Sequence, residues 1–186
     1  MNTTKNIVRK LTLTATLLAL VAGVAGVSQA GPKILATDDW SDAPMGGANH
    51  TVVPGFCLGT RIDTDWAAIT TVAADGDDLE ELADDDSIVF PPLGRSVAYT
   101  LPVFVTGTGF LDAWIDFNRV AGFELAERVA IAQPVVPGVN YIKFKVPANI
   151  PAGFAYARLR LSTVGGLAPI GFGGAGEVED YRVTIY

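Results

Sequence analysis

The amino-acid sequence predicts an all-β fold: an antiparallel β-sandwich, jelly-roll-like, with Gly/Pro-rich and acidic loops and an N-terminal signal peptide ahead of it. Three observations carry that reading. Several runs after residue 50 alternate apolar and polar side chains with a period of two, the repeat of a half-buried strand. The segments between them, GTG, QPVVPGV, PANIPAG and VGGLAPIGFGGAG, are built from turn residues. No long amphipathic helical pattern interrupts the series; DGDDLEELADDD has room for one or two helical turns around LEELA. Strands at near-regular spacing with Gly/Pro turns argue for packed antiparallel sheets.

The chain opens with Lys5, Arg9 and Lys10, then an apolar stretch over residues 11–27, then VSQA with small Ser28 and Ala30 before Gly31. Basic, apolar and small-x-small segments in that order are a secretory signal peptide with cleavage after Ala30. Residues 1–30 are therefore read as the leader and 31–186 as one domain, long enough to bury a core. No Cys follows the apolar stretch, so there is no lipid attachment signal. No second apolar run is long enough to span a membrane.

The strands are expected in this order. RSVAYTLPVFV (95–105) is β-rich, and Pro102 marks an edge or a bulge. LDAWIDF (111–117) alternates in part, and ERVAIA (127–132) is short. In NYIKFKV, Ile142, Phe144 and Val146 share one face and Tyr141, Lys143 and Lys145 the other. In FAYARLRLS, Ala155, Ala157, Leu159 and Leu161 oppose Phe154, Tyr156, Arg158 and Arg160. DYRVTIY places Tyr181, Val183 and Ile185 together.

Without its leader the chain has 10 basic and 20 acidic residues, a net charge of −10. That charge disfavours phosphate-mediated nucleic-acid binding and anionic membrane surfaces, and favours small cations. The single cysteine, Cys57 in FCLG, is expected as a buried thiol. The single histidine, His50, is expected at a turn or strand edge, and one His without clustered Cys makes no zinc site.

Carboxylates are clustered. Eight of the twelve residues from 75 to 86 are acidic, and smaller groups lie in DDWSDAP, DAWIDFN and GEVED. Such runs solvate surface loops. Oxygen-rich clusters are also what Ca²⁺ takes, with six to eight ligands, and no strict EF-hand loop is present. The cation reading selects Asp42, Asp116, Asn118, Glu177, Glu179 and Asp180 as ligands gathered at one rim. Strand alternation puts Glu177 and Glu179 on one face and Asp180 on the other, where it can instead pair with Arg158 or Arg160.

Five segments in order bring a family into view: DWSDAP at 39–44, the acidic run ending in DDDSIVF, WIDFN at 114–118, YARLRLST at 156–163 and GEVEDY at 176–181. Together they resemble the GEVED domain, a module of secreted and cell-surface bacterial proteins named for that pentapeptide. The resemblance implies an extracellular β-sandwich of the kind found beside adhesin-like, cadherin-like or protease domains. The chain departs from the family pattern after WIDFN, where RVAGFEL replaces GDGDFDD and leaves Glu124 as the one acid.

The expected function is that of a secreted, non-catalytic structural or interaction module, adhesin-like and stabilised by a divalent cation such as calcium, with an extracellular protein or polysaccharide as partner. The alternative is a glycan-binding module using Trp40, Trp66, Trp114 and Tyr156 as platforms, against which Trp114 is read as core. An enzyme is not expected: no Ser/His/Asp, Cys/His or metal-hydrolase motif occurs.

Overall fold

The computed structural model describes residues 38–41, 43, 47–62, 71–74, 85–120 and 122–186, all within the compact unit Pro32–Tyr186. The leader, Asp42, Trp66 and residues 75–84 of the acidic run lie outside the described residues.

Each alternating run contributes a strand, and three short strands that the alternation did not mark precede them; the nine described strands follow in chain order. They are β1 (Asp38–Trp40), β2 (Ala48–Thr51), β3 (Cys57–Leu58), β4 (Ala98–Thr106), β5 (Gly109–Ile115), β6 (Arg128–Val135), β7 (Gly138–Lys145), β8 (Gly153–Ser162) and β9 (Gly171–Ile185). A 3-10 turn, Leu125–Glu127, precedes β6. The described strands form two sheets, one in the order β1-β2-β9-β8-β5-β6 and one in the order β3-β4-β7. Two sheets over one core are consistent with a β-sandwich. Among the described residues the division is six strands and three.

Among the described strand pairs, pairing is antiparallel except at one place, and an isolated parallel bridge joins Leu93 to Ile185. β2 runs parallel to β9, with Ala48 opposite Gly171 and Thr51 opposite Ala175. The parallel pair forms because β9 reaches back to Gly171, well before the expected start at Asp180, and its glycine-rich first half takes β2 as a neighbour. Glycine is required within that half. A Cβ on Gly176 (φ +152°) would sit 1.9 Å from the Leu161 carbonyl oxygen and 2.8 Å from His50 Nδ1.

The core lies between the sheets. Ile142, Phe144, Val146, Leu159, Leu161, Val183 and Ile185 are all buried there, together with Leu101, Val103 and Leu111. Pro102 sits where a strand proline can sit. The Phe104 N–H points away from β7 to the Ser87 carbonyl (2.9 Å), so the nitrogen of Pro102, two residues earlier, faces the same side, where no ladder bond is needed.

The outer face of the large sheet is buried as well. Trp114, Arg158, Arg160 and Asp112 are each at most 2% exposed. Hydrogen bonds from this face to residues 167–171 show what folds back across it.

Candidate functional site

The β8–β9 ladder sets the geometry of GEVED. Leu159 pairs with Glu179 and Leu161 with Glu177, whereas Arg158 pairs with Asp180 and Arg160 with Val178. Glu177 and Glu179 therefore leave the sheet on the side of Leu159 and Leu161, and Asp180 leaves it on the side of the arginines. All three carboxyls are buried, at 1% exposure each.

Each carboxyl meets a backbone N–H from a different part of the chain's first half. Leu58 N–H in β3 donates to Glu177 Oε2. Asp86 and Ser87 N–H donate to Glu179 Oε1 at 3.0 and 3.1 Å. Ala43 N–H donates to Asp180 Oδ2 at 2.9 Å. The other oxygen of Glu179 accepts the Ser87 hydroxyl and the Tyr181 hydroxyl, the latter at 3.0 Å. Burial pushes the Glu179 carboxyl up to about 8 against the pull of these four donors. Burial, and then the neighbouring Glu179, push the Tyr181 phenol up as well.

On the outer face, Arg158 holds Asp180 through two parallel bonds, Nε to Oδ1 and Nη2 to Oδ2, both 2.7 Å. Its Nη1 donates to the Pro169 carbonyl at 2.8 Å, and its guanidinium lies 5.2 Å from the Phe123 ring centre. Arg160 donates to the carbonyls of Ala168 (2.7 Å) and Gly171 (2.7 Å) and through Nε to His50 Nε2 (3.0 Å). His50 is thus a buried residue of β2 rather than a turn or edge residue. Burial, then the Arg160 charge, lower its pKa to about 3 and keep it neutral. Asp112 completes the layer. Its oxygens accept from Arg128 Nη2 (2.6 Å), Ala132 N–H (2.9 Å) and Leu167 N–H (3.0 Å). The Ala132 bond serves a β5–β6 bulge, where Ala132 takes φ +42°.

Asp116 and Asn118 occupy the turn after β5. Asp116 Oδ1 accepts Arg119 N–H at 2.7 Å and Asn118 Oδ1 accepts Val120 N–H at 2.7 Å. Beside them lies Glu127, whose oxygens cap Asn118 N–H (3.1 Å) and Glu124 N–H (2.9 Å). Burial, then the Glu127 charge, raise the Asp116 carboxyl to about 6. Ile115 and Phe117 point into the core, so Asp116 between them faces the other way, the side of Trp114 and Asp112.

The expected ligands are therefore not gathered at one point. Asp116 lies on the opposite side of the large sheet from Glu177 and Glu179, Asp180 is closed into a bidentate pair with Arg158, and Asp42 lies outside the described residues. Among the described residues, no group of three or more His, Cys, Asp or Glu side chains is placed to hold a metal. Of the aromatic platforms, Trp114 is buried with Arg128 stacked on it at 5.1 Å, and the Tyr156 hydroxyl donates to the Val72 carbonyl at 3.0 Å. Trp66 and the Trp40 side chain are outside the description. Cys57 is buried as expected. Sequence reasoning did not single out Glu127. Its signal was the E-x-x-E spacing from Glu124, which the structure forms as a capping box.

No curated protein and no solved structure matches the chain. Residues 110–184 match the family model of the GEVED domain, while DWSDAP falls outside the matched residues. WIDFN, YARLRLST and GEVEDY, whose strands build the buried carboxyl–arginine layer, all lie within the residues that match the GEVED domain model.

Proposed function

We propose that the chain is an exported, non-catalytic structural and interaction module of the bacterial cell exterior, secreted or surface-held, with residues 1–30 removed as a signal peptide. In this reading the GEVED carboxylates are internal fasteners. The observation that carries it is that Glu177, Glu179 and Asp180 each bind backbone N–H groups 92 to 137 residues away. Buried N–H groups need such acceptors, and the carboxyl oxygens supply them. Carboxylates used this way stabilise a scaffold, and a scaffold offers its exposed faces to a partner. The leader supports export.

A second reading keeps the divalent cation, and a specific observation favours it. Asp116 and Glu127 hold two carboxyls side by side, an arrangement that a calcium ion relieves, with Asn118 in the same turn. One experiment separates the two roles. Melting curves are compared in about 5 mM calcium and in EGTA, a level above the ~10⁻⁴–10⁻³ M Kd of extracellular calcium modules. With fasteners alone, Glu177→Gln and Glu179→Gln lower the wild-type Tm equally in both buffers. A calcium-dependent rise that Asp116→Asn abolishes assigns the cation to the turn. Mass spectrometry of exported protein tests the leader: retention of residues 11–27 overturns cleavage.

A further inference from the structure

The small sheet leaves its outer face uncovered, and that face is divided by chemistry. The β4–β7 register sets Ala98, Thr100, Pro102 and Phe104 opposite Lys145, Lys143, Tyr141 and Val139. All eight are exposed, while Leu101, Val103, Ile142 and Phe144 between them enter the core. One half of the face is apolar, with Phe104 38%, Val139 55% and Tyr141 56% exposed. It continues into a shallow cavity of about 220 Å³ lined by Asp86, Ser87, Val89, Pro102, Phe104 and Val139. The other half is cationic. Lys143 and Lys145 project side by side, and among the described residues neither forms an ion pair.

We propose that this face docks an anionic polysaccharide, a chain of uronate sugars. The inference deepens the interaction-module reading and rests on it. Tyr141 beside Pro102 offers a flat apolar platform for a sugar ring, Lys143 and Lys145 offer cations for successive carboxylates, and Thr100 and Asp86 offer hydroxyl partners. The cavity is smaller than the ~300–1,000 Å³ of a small-molecule pocket, so it suits one unit of a polymer lying along the face. Lysines on an edge strand also guard against strand pairing, but that role needs no aromatic row next to them.

An extended peptide fits less well. Gln133 Nε2 already donates to the Tyr141 carbonyl at 3.0 Å, so the β7 edge is engaged where an added strand would pair. A second copy fits less well too, since self-docking sets the lysines against each other or against the apolar half. The chain is acidic as a whole. At physiological ionic strength charges are screened over about 8 Å. The carboxylate that lines the face, Asp86, sits at its apolar end, where the Thr60 N–H (2.8 Å) and hydroxyl (2.7 Å) and the Arg61 guanidinium (3.9 Å) already hold it, so a ligand's carboxylates meet the lysines at the other end.

The test is affinity electrophoresis of the purified folded chain in gels containing alginate, dextran or polyglutamate. Alginate is expected to retard the protein and dextran to leave it unmoved. The double variant Lys143→Ala/Lys145→Ala, and separately Tyr141→Ala, are expected to weaken retardation by about tenfold or more, with melting curves unchanged. Arg95→Ala/Arg182→Ala, two exposed cations elsewhere, is expected to behave as wild type. Absence of retardation by alginate, or equal retardation of the lysine double variant, overturns the proposal. Stronger retardation by polyglutamate than by alginate overturns it in favour of an acidic protein partner. Purified protein is used, so these outcomes are independent of export; failure of the module reading appears instead as a chain retained inside the cell.

Discussion

Asp180→Asn isolates the ion pair at the centre of the motif. Asparagine keeps the shape of aspartate, so no cavity opens, but the charge that balances Arg158 disappears. Both side chains are fully buried, and the pair makes two 2.7 Å bonds. Leaving a buried guanidinium without its counter-charge costs about 3–5 kcal/mol. Arg158 cannot withdraw to water, because Pro169 and Phe123 hold it from the other side. A domain of this size loses ~2–4 °C in Tm per kcal/mol, so the expected fall is roughly 6–20 °C. Urea unfolding of wild type, Asp180→Asn, Arg158→Met and the double variant gives the free energies. The double variant is expected to be more stable than the sum of the single losses by about 2 kcal/mol or more, since it removes both charges together. A single-variant cost below about 1 kcal/mol, or additivity within about 0.5 kcal/mol, would refute the claim that this pair locks β8 to β9.

Stability should pass through a maximum in pH, because two buried groups titrate in opposite senses. The Glu179 carboxyl is raised to about 8 from 4.5, so the folded state holds a proton that the unfolded state has lost, and stability falls as pH rises through this window. His50 is lowered to about 3 from 6.5, so the unfolded state binds the extra proton, and stability falls as pH drops below about 6.5. Asp116, raised to about 6 from 3.8, adds a loss of the same sign as Glu179 that is complete by about pH 7. Above that, among the described residues, the Glu179 slope remains, and Glu179→Gln should flatten melting temperatures between pH 7 and 8. A slope that survives this change assigns the titration elsewhere. In the core, Leu159→Ala should cost about 2–5 kcal/mol by chemical denaturation, whereas exposed Lys143→Ala should stay within about 0.5 kcal/mol. Equal costs would reverse the assigned facing.

Local alternation made the strands legible. β7 and β8 alternate cleanly because each has one core face, and DYRVTIY shows which of its residues turn inward. The same rule separated Glu177 and Glu179 from Asp180 and named Arg158 and Arg160 as the partners within reach; Arg158 is the one that closes. What alternation cannot show is the second buried face. Arg158 and Arg160 look like solvent-facing residues in sequence, yet residues 167–171 cover them and supply carbonyls. That cover depends on contacts no period encodes. The parallel β2–β9 pair was hidden for a related reason, since ANHT and GFGGA carry little alternation to mark them as strands. The expected cation site asked DDWSDAP, WIDFN and GEVED, segments far apart in the chain, to meet at one rim, and strand alternation within each segment says nothing about such a meeting. A strand sends neighbours to opposite sides, and here the sheet itself separates Asp116 from Glu177 and Glu179.

The fastening of early segments by a late strand also sets an order of events. Leu58, Asp86 and Ser87 emerge during synthesis long before Glu177 and Glu179, and β2 emerges long before the β9 edge it lies against. Until residues 171–185 arrive, those N–H groups have no carboxylate to bind and the sheet lacks the strand that joins β2 to β8. Contacts of such long sequence separation form slowly, because a large loop must close before any of them is gained. The domain is thus built to remain open while it is being made and to close in one late step, when the fifteen residues of β9 slide between strands that have been waiting for them.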